Sequence, residues 1–229
     1  MSIRLAVFAL AAFVGCQQSG GQDVKLENTQ DKISYSIGLN VGMSLMRDSI
    51  MVTPEAFLKG VLDAREDSSD RLLSEEDVNA TLAAFQEEMR MKQADRAAKE
   101  GAQNQAAGAA FLSTNETLPG VVKLPSGLQY KIISAGTGPK PTASSTVEVH
   151  YTGRLIDGSV FDSSHKRGAP AVFPVNGVIK GWTEALQLMP VGSKWELYIP
   201  SDLGYGPGGS GVIPPNATLV FEVELLSIK

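Results

Sequence analysis

Residues 149–164 read VHYTGRLIDGSVFDSS, and their reading decides the class of the fold. With Val147 just ahead, Val149 and Tyr151 continue an alternation of apolar and polar side chains, the period-two pattern of a strand with one face to bury. Asp157-Gly158 falls between this run and Val160-Phe161, a hairpin signal because both residues tolerate the positive φ of a tight turn. The alternation recurs on either side: Leu128, Tyr130 and Ile132 upstream, then Trp195, Leu197 and Ile199, and finally Leu219, Phe221, Val223 and Leu225. Trp182 to Met189 is the one short helical stretch among them, stopped before Pro190. Several antiparallel strands folded round one short helix predict an α+β domain over 113–229. The chain enters it through Ser113 to Gly127, where Thr, Pro, Gly and Ser replace helix formers.

Ahead of residue 113 the periodicity is helical, and an all-helical domain is predicted over 29–112. Thr29 is the expected cap of a first helix with Asp31 in its first turn. Ile33, Ile37, Val41 and Leu45 then recur every four residues, with Tyr35, Leu39, Met43 and Met46 beside them. Gly38 and Gly42, one turn apart, cost about 1 kcal/mol each relative to Ala. They mark either a helix-helix crossing or an accidental pair in a marginal helix. Thr53-Pro54-Glu55 opens a second helix, because Pro is preorganised at the first helical position; Phe57, Leu58, Val61 and Leu62 form its apolar stripe. Ser74 with Glu75, Glu76 and Asp77 opens a third, in which Val78, Leu82, Phe85 and Met89 step by four, three and four. Beyond Met91 it continues in Ala, Lys, Glu and Gln to Leu112, good helix formers with little to bury, as a connecting rod of roughly 50 to 60 Å. Helices with more apolar surface than they can hide alone predict a twofold dimer, with a monomeric three-helix cap as the alternative.

Arg4 and the apolar run Leu5 to Val14, too short to span a bilayer, read as an export signal over 1–15. Phe13-Val14-Gly15-Cys16 resembles a bacterial lipoprotein cleavage box, which would make Cys16 the lipidated first residue and anchor the chain to a membrane. A plain signal cut elsewhere is the alternative. Residues 16–28, rich in Gln, Ser and Gly, form a flexible tether. With Cys16 the only cysteine, no intramolecular disulfide is possible. A net charge of -5 argues against a nucleic-acid partner, whose phosphates reward basic patches. His150 and His165 are the only histidines, and with no cysteine beside them they support neither a metal site nor a Ser-His arrangement. Gly206 to Gly211 matches the letters of a dinucleotide fingerprint, but Ile213-Pro214-Pro215 stands where a helix would have to begin. No cofactor and no metal are expected.

The aromatic residues Tyr151, Phe161, Trp182, Tyr205 and Phe221 lie in the segments VHYTGRLIDGSVFDSS, VIKGWTEALQLMPVGSKWELYIP, SDLGYG and IPPNATLVFEVELL. These segments resemble the FK506-binding type of peptidyl-prolyl cis-trans isomerase from Leu124 to Lys229. With the helical half included, the chain resembles the macrophage infectivity potentiator branch of that family. The resemblance implies a C-terminal antiparallel sheet wrapped round a short helix, carried by a long helix away from a dimerisation region that includes DKISYSIGLNVGMSL. It implies a proline pocket floored by Trp182 and walled by Tyr151, Phe161 and Phe221, with aliphatic surface from Val178, Ile179 and Ile213. It assigns hydrogen bonds to the Ile179 backbone N–H and the Tyr205 hydroxyl, and an orienting or polarising role to Asp162. The substrates implied are proline-containing, unfolded or loosely folded exported proteins, and macrolide inhibitors are possible ligands.

Such a pocket suits the reaction. Rotation about X-Pro faces a barrier of about 18–20 kcal/mol, yet breaks no covalent bond, so neither nucleophile nor metal is required. Three positions depart from the commoner pattern: Ala171 where a bulky aromatic is usual, Gly177 where Glu is frequent, and a flap GPGGSG without His. They predict a looser pocket rim. The location implied is the cell envelope, as an outer-membrane lipoprotein. A reading of another class also stands: a non-catalytic periplasmic chaperone or surface-binding module that holds clients in a dimeric cradle.

Overall fold

The structure, a computed structural model, describes residues 24–65, 67 and 71–229. The export segment and Cys16 lie outside these residues. The chain divides into two compact units, with the boundary between Asp77 and Val78.

In the first unit, α1 spans Thr29–Arg47. Its cap is Asn28, not Thr29: the Asn28 side chain accepts from the Asp31 N–H at 2.9 Å, and the Asp31 carboxylate accepts in return from the Asn28 N–H at 3.3 Å. The spacing decides it, because this reciprocal box needs an acid three residues beyond the cap, and Lys32 occupies that place relative to Thr29. Helix α2, Pro54–Asp63, starts with Pro54 in its first turn, while the Thr53 side chain makes no capping bond. No residue of α1 is buried; Ile33, Ile37, Leu39 and Met43 stand exposed, as do Phe57, Leu58, Val61 and Leu62 of α2. A Cβ at Gly38 or Gly42 would meet nothing within 4 Å among the described residues.

Helix α3, Glu75–Asn115, runs 41 residues, about 60 Å at 1.5 Å per residue. The Ser74 hydroxyl accepts from the Asp77 N–H at 3.1 Å at its start. It extends past Leu112 because its last turn is fastened to the sheet. Buried Asn115 donates through Nδ2 to Gln129 Oε1 at 2.8 Å, and Gln129 Nε2 donates to the Leu112 carbonyl at 2.9 Å. From Val78 onward this helix belongs to the same compact unit as the sheet.

The sheet is antiparallel and seven-stranded, in the order β1-β2-β6-β7-β3-β4 with β5 paired to β3. Its strands are β1 (Val121–Lys123), β2 (Gln129–Ser134), β3 (Thr146–Leu155), β4 (Val160–Ser163), β5 (Ala171–Pro174), β6 (Lys194–Ile199) and β7 (Leu219–Ile228). A four-residue helix, α4 (Ser164–Arg167), follows β4, and α5 (Lys180–Leu188) lies between β5 and β6. The core joins Val147, Val149 and Tyr151 of β3 to Trp195, Leu197 and Ile199 of β6, Leu219, Phe221, Val223 and Leu225 of β7, and Trp182, Ala185 and Leu186 of α5. Each aliphatic side chain hidden this way contributes about 1.5–3 kcal/mol. The upstream run differs from its expected pattern. Leu128 is fully buried, but Ile132 is half-exposed where the ladder between β2 and β6 slips in register.

Gln129→Leu is expected to leave the buried Asn115 amide without its acceptor. That costs about 1–3 kcal/mol and lowers Tm by roughly 3–9 °C, as thermal unfolding followed by circular dichroism will show.

Candidate active site

The middle of the sheet brings together rings that are far apart in sequence. Trp182, in the first turn of α5, is 4% exposed and lies against β3, β5 and β7. Tyr151 of β3 meets its indole at a centroid distance of 5.2 Å and 90°, Phe221 of β7 at 5.3 Å and 82°, and Phe173 of β5 at 6.0 Å and 90°. Phe161 of β4 packs on Phe221 at 5.5 Å and 85°. Perpendicular packing sets the positive edge of one ring against the negative face of another, worth about 0.5–1.5 kcal/mol per pair beyond burial.

Gly153 makes room for this. It pairs with Phe221 across β7 and with Asp162 across β4, and a Cβ there would lie 2.6 Å from both the Phe161 and Phe221 rings. The result is an open cavity of about 420 Å³, lined by Tyr151, Phe161, Asp162, Phe173, Gly177, Val178, Ile179, Trp182, Tyr205 and Phe221.

One charged group stands at its edge. Asp162 accepts from the Tyr151 hydroxyl on Oδ2 and from Arg167 Nη1 on Oδ1, and Arg167 Nη2 donates to the Tyr151 oxygen at 2.8 Å. The Arg167 guanidinium also sits over the Tyr151 ring, 5.4 Å from its centroid. Partial burial acts to raise the Asp162 carboxyl, but the hydrogen bonds from Tyr151 and Arg167 and the Arg167 charge outweigh it and hold the group below its ordinary value. Burial, with the bond to Asp162, pushes the Tyr151 phenol above its ordinary value. The junction is locked from behind by Ser164, whose fully buried hydroxyl accepts from the Tyr151 N–H at 2.8 Å and lies 3.0 Å from His150 Nδ1.

On the far side Ile179 precedes α5. Its carbonyl accepts from Trp182 N at 2.9 Å and Thr183 N at 3.0 Å, so its own N–H lies outside the helical ladder. Tyr205, 42% exposed, forms part of the rim. The structure therefore gathers Tyr151, Phe161, Asp162, Val178, Ile179, Trp182, Tyr205 and Phe221 round one cavity. It places Ile213 differently: that residue is 8% exposed, packed into the core, and not part of the lining.

Sequence reasoning passed over Phe173, Arg167 and Gly153, whereas Gly177, read there as a departure at the rim, does line the cavity. Phe173 carried a faint signal, two positions from Ala171 on the same strand face. Arg167, a cation in a turn after Asp162, reads as solvated until α4 folds it back. No cluster of His, Cys, Asp or Glu able to hold a metal ion occurs among the described residues.

Residues 138–226 match the family model of the FKBP-type peptidyl-prolyl cis-trans isomerase, and residues 30–132 match that of the domain amino terminal to FKBP-type peptidyl-prolyl isomerase. The chain is 46% identical over 231 residues to the outer membrane protein MIP of Legionella longbeachae, covering 100% of this chain and 99% of that one. It is 43% identical over 205 residues to the peptidyl-prolyl cis-trans isomerase Mip of Coxiella burnetii, covering 89% of each. The crystal structure of FkpA from Escherichia coli superposes with a TM-score of 0.71 at 37% identity, covering 89% of this chain and 98% of that one. The family matches span both the helical part and the sheet, the Legionella longbeachae relative is alike from end to end, and the chain belongs to the FKBP-type peptidyl-prolyl cis-trans isomerases, in their Mip-like branch.

Proposed function

We propose that X-Pro bonds of exported proteins rotate in the cavity above Trp182, without any covalent step. The supporting observation is the indole itself: buried, braced edge-on by Tyr151, Phe173 and Phe221, and set at the base of an open hollow. Such a floor takes a proline ring flat and strips water from the neighbouring carbonyl. The twisted amide, whose carbonyl is less polar than the planar one, gains from that environment. A preference of about 4 kcal/mol suffices for a thousandfold acceleration. Phe161 and Phe221 wall the hollow, Val178 and Ile179 add aliphatic surface, and the Ile179 N–H and Tyr205 hydroxyl donate to substrate carbonyls. Asp162, ionised and already paired with Arg167, orients and polarises; a carboxyl held below its ordinary value is a weak base. Ile213 supports the wall from within the core.

In a proline-limited peptide assay on the full chain, Asp162→Ala, Tyr205→Phe and Gly153→Ala are each expected to lower kcat/KM by on the order of tenfold. Parent rates in all three would place catalysis elsewhere. The pH profile follows from the directions of the two shifts. Asp162, with its folded value depressed, stays ionised until pH falls through that lowered value; Tyr151, with its value raised, stays protonated as pH rises past the ordinary phenol range. The rate is therefore expected to be flat between about pH 5 and pH 9, and a step near neutrality would point to a general base instead.

The unpaired apolar face of α1 and α2 supports a homodimer through the first unit. Sedimentation of the parent as a dimer and of Ile37→Glu as a monomer is the expected result; a monomeric parent removes this reading. Anchoring of the chain to the outer membrane through a lipid on Cys16 rests on the residues before that cysteine and on the name of the Legionella longbeachae relative. Mass spectrometry of the mature amino terminus is expected to show acylated Cys16, and an unmodified terminus elsewhere would end the proposal. Holding of unfolded clients is a second role, supported by the exposure of Met43, Met46 and Met91.

A further inference from the structure

The part of α3 nearest the sheet carries a stripe of small and amide residues at helical spacing: Gly101, Asn104, Gly108 and Asn115, of which all but half-buried Asn104 are buried. Glycine is a poor helix former, so two of them inside one helix call for a packing reason. Both face the chain that returns from the pocket rim to β7. A Cβ at Gly108 would overlap the Thr218 hydroxyl and lie 3.1 Å from its Cβ. One at Gly101 would lie 3.1 Å from Asn216 Nδ2 and 3.3 Å from the Pro215 Cβ.

The approach is used for hydrogen bonds. Asn104 Nδ2 donates to the Pro215 carbonyl at 2.9 Å, and Asn216 Nδ2 donates to the Gly101 carbonyl at 3.3 Å. Asn216 itself is held with φ at +52°, a left-handed conformation uncommon for a residue with a side chain. In that conformation its N–H donates to the Gly206 carbonyl at 2.9 Å, and Gly206 follows Tyr205 directly. The same loop is closed higher up by the Ser210–Ile213 pair, with N–H to carbonyl distances of 3.0 and 2.9 Å. A continuous path therefore runs from the α3 side chains, through Pro215 and Asn216, to the backbone beside the rim tyrosine.

We propose that α3 positions the rim of the proline pocket, with Asn104 and Gly108 as positioning residues that hold Tyr205 over the cavity and so set how readily a substrate is accepted. Neither residue touches substrate. They lower the ordering that the loop 204–218 must undergo on binding, a cost otherwise taken from affinity. The inference rests on the assignment of the cavity above Trp182 as the substrate site. It gives the long helix a task besides spacing.

The test uses the full chain with Asn104→Ala and Gly108→Ala, and Gln105→Ala on the exposed face of the same helix as the control. Steady-state assay of a short proline peptide is expected to show KM raised threefold to tenfold in the first two, kcat within twofold of the parent, and no change in the control. Hydrogen exchange over 204–218 is expected to quicken in Asn104→Ala. KM within twofold of the parent, a fall in kcat alone, unaltered exchange, or an equal effect in Gln105→Ala would each overturn the proposal. A merely structural role would lower Tm without separating KM from kcat. Should Gly108→Ala fail to fold, Asn104→Ala decides alone. If Asp162→Ala keeps parent activity, the cavity assignment fails; if Asp162→Ala is impaired and the helix variants are neutral, only this inference fails.

Discussion

Edge-on packing of Tyr151, Phe173 and Phe221 around the indole of Trp182 is the contact on which the second unit depends. It ties β3, β5 and β7 to α5, and so closes a twisted sheet over its helix. The same contact shapes the cavity. Rings locked by their neighbours cannot collapse into the space above the indole, and with Gly153 letting Phe161 and Phe221 lie close against the strand, the hollow stays open. Core and candidate site are therefore one structure rather than a site placed on a core.

On the proposed reading, the polar edge of that hollow is shaped for a reaction without bond breaking. An enzyme that moves protons leaves a group poised near the working pH, whereas Asp162, despite partial burial, is drawn down by the Tyr151 hydroxyl and the Arg167 guanidinium. A carboxylate with both oxygens committed has little freedom to accept a proton, but presents a fixed charge in a fixed direction. Arg167 matters to this twice over, because it also bonds the Tyr151 oxygen and covers the ring. Fixed dipoles beside an apolar floor are what differential stabilisation of a twisted amide requires.

The two units contrast in how they are held. The sheet unit buries a continuous core and fastens the end of α3 to itself through the Asn115–Gln129 pair. In the first unit, no residue of α1 is fully buried among the described residues, so packing within them contributes little to its stability. Secondary structure alone does not supply it.

Much of this was legible before any coordinates. Strands β3, β6 and β7 announced themselves by period-two runs, α5 by a short helical run ended at Pro190, and the ring inventory by motif. Short elements were not legible: β1 and β5 have three and four residues, too few for a period to register, and Phe173 was hidden with β5. The amino-terminal cap fell one residue earlier than expected because a reciprocal bond to Asp31 selected Asn28. Local chemistry in the chain thus determined which segments are strands or helices, where turns fall and which side chains are available to a site. Only the sheet order, which sets β3 beside β5 and β7 and leaves Ile213 inside the core, decided which rings meet and which polar groups pair. Periodicity reports on neighbours a few residues away, whereas residues 151, 173, 182 and 221 come within about 6 Å only through long-range pairing.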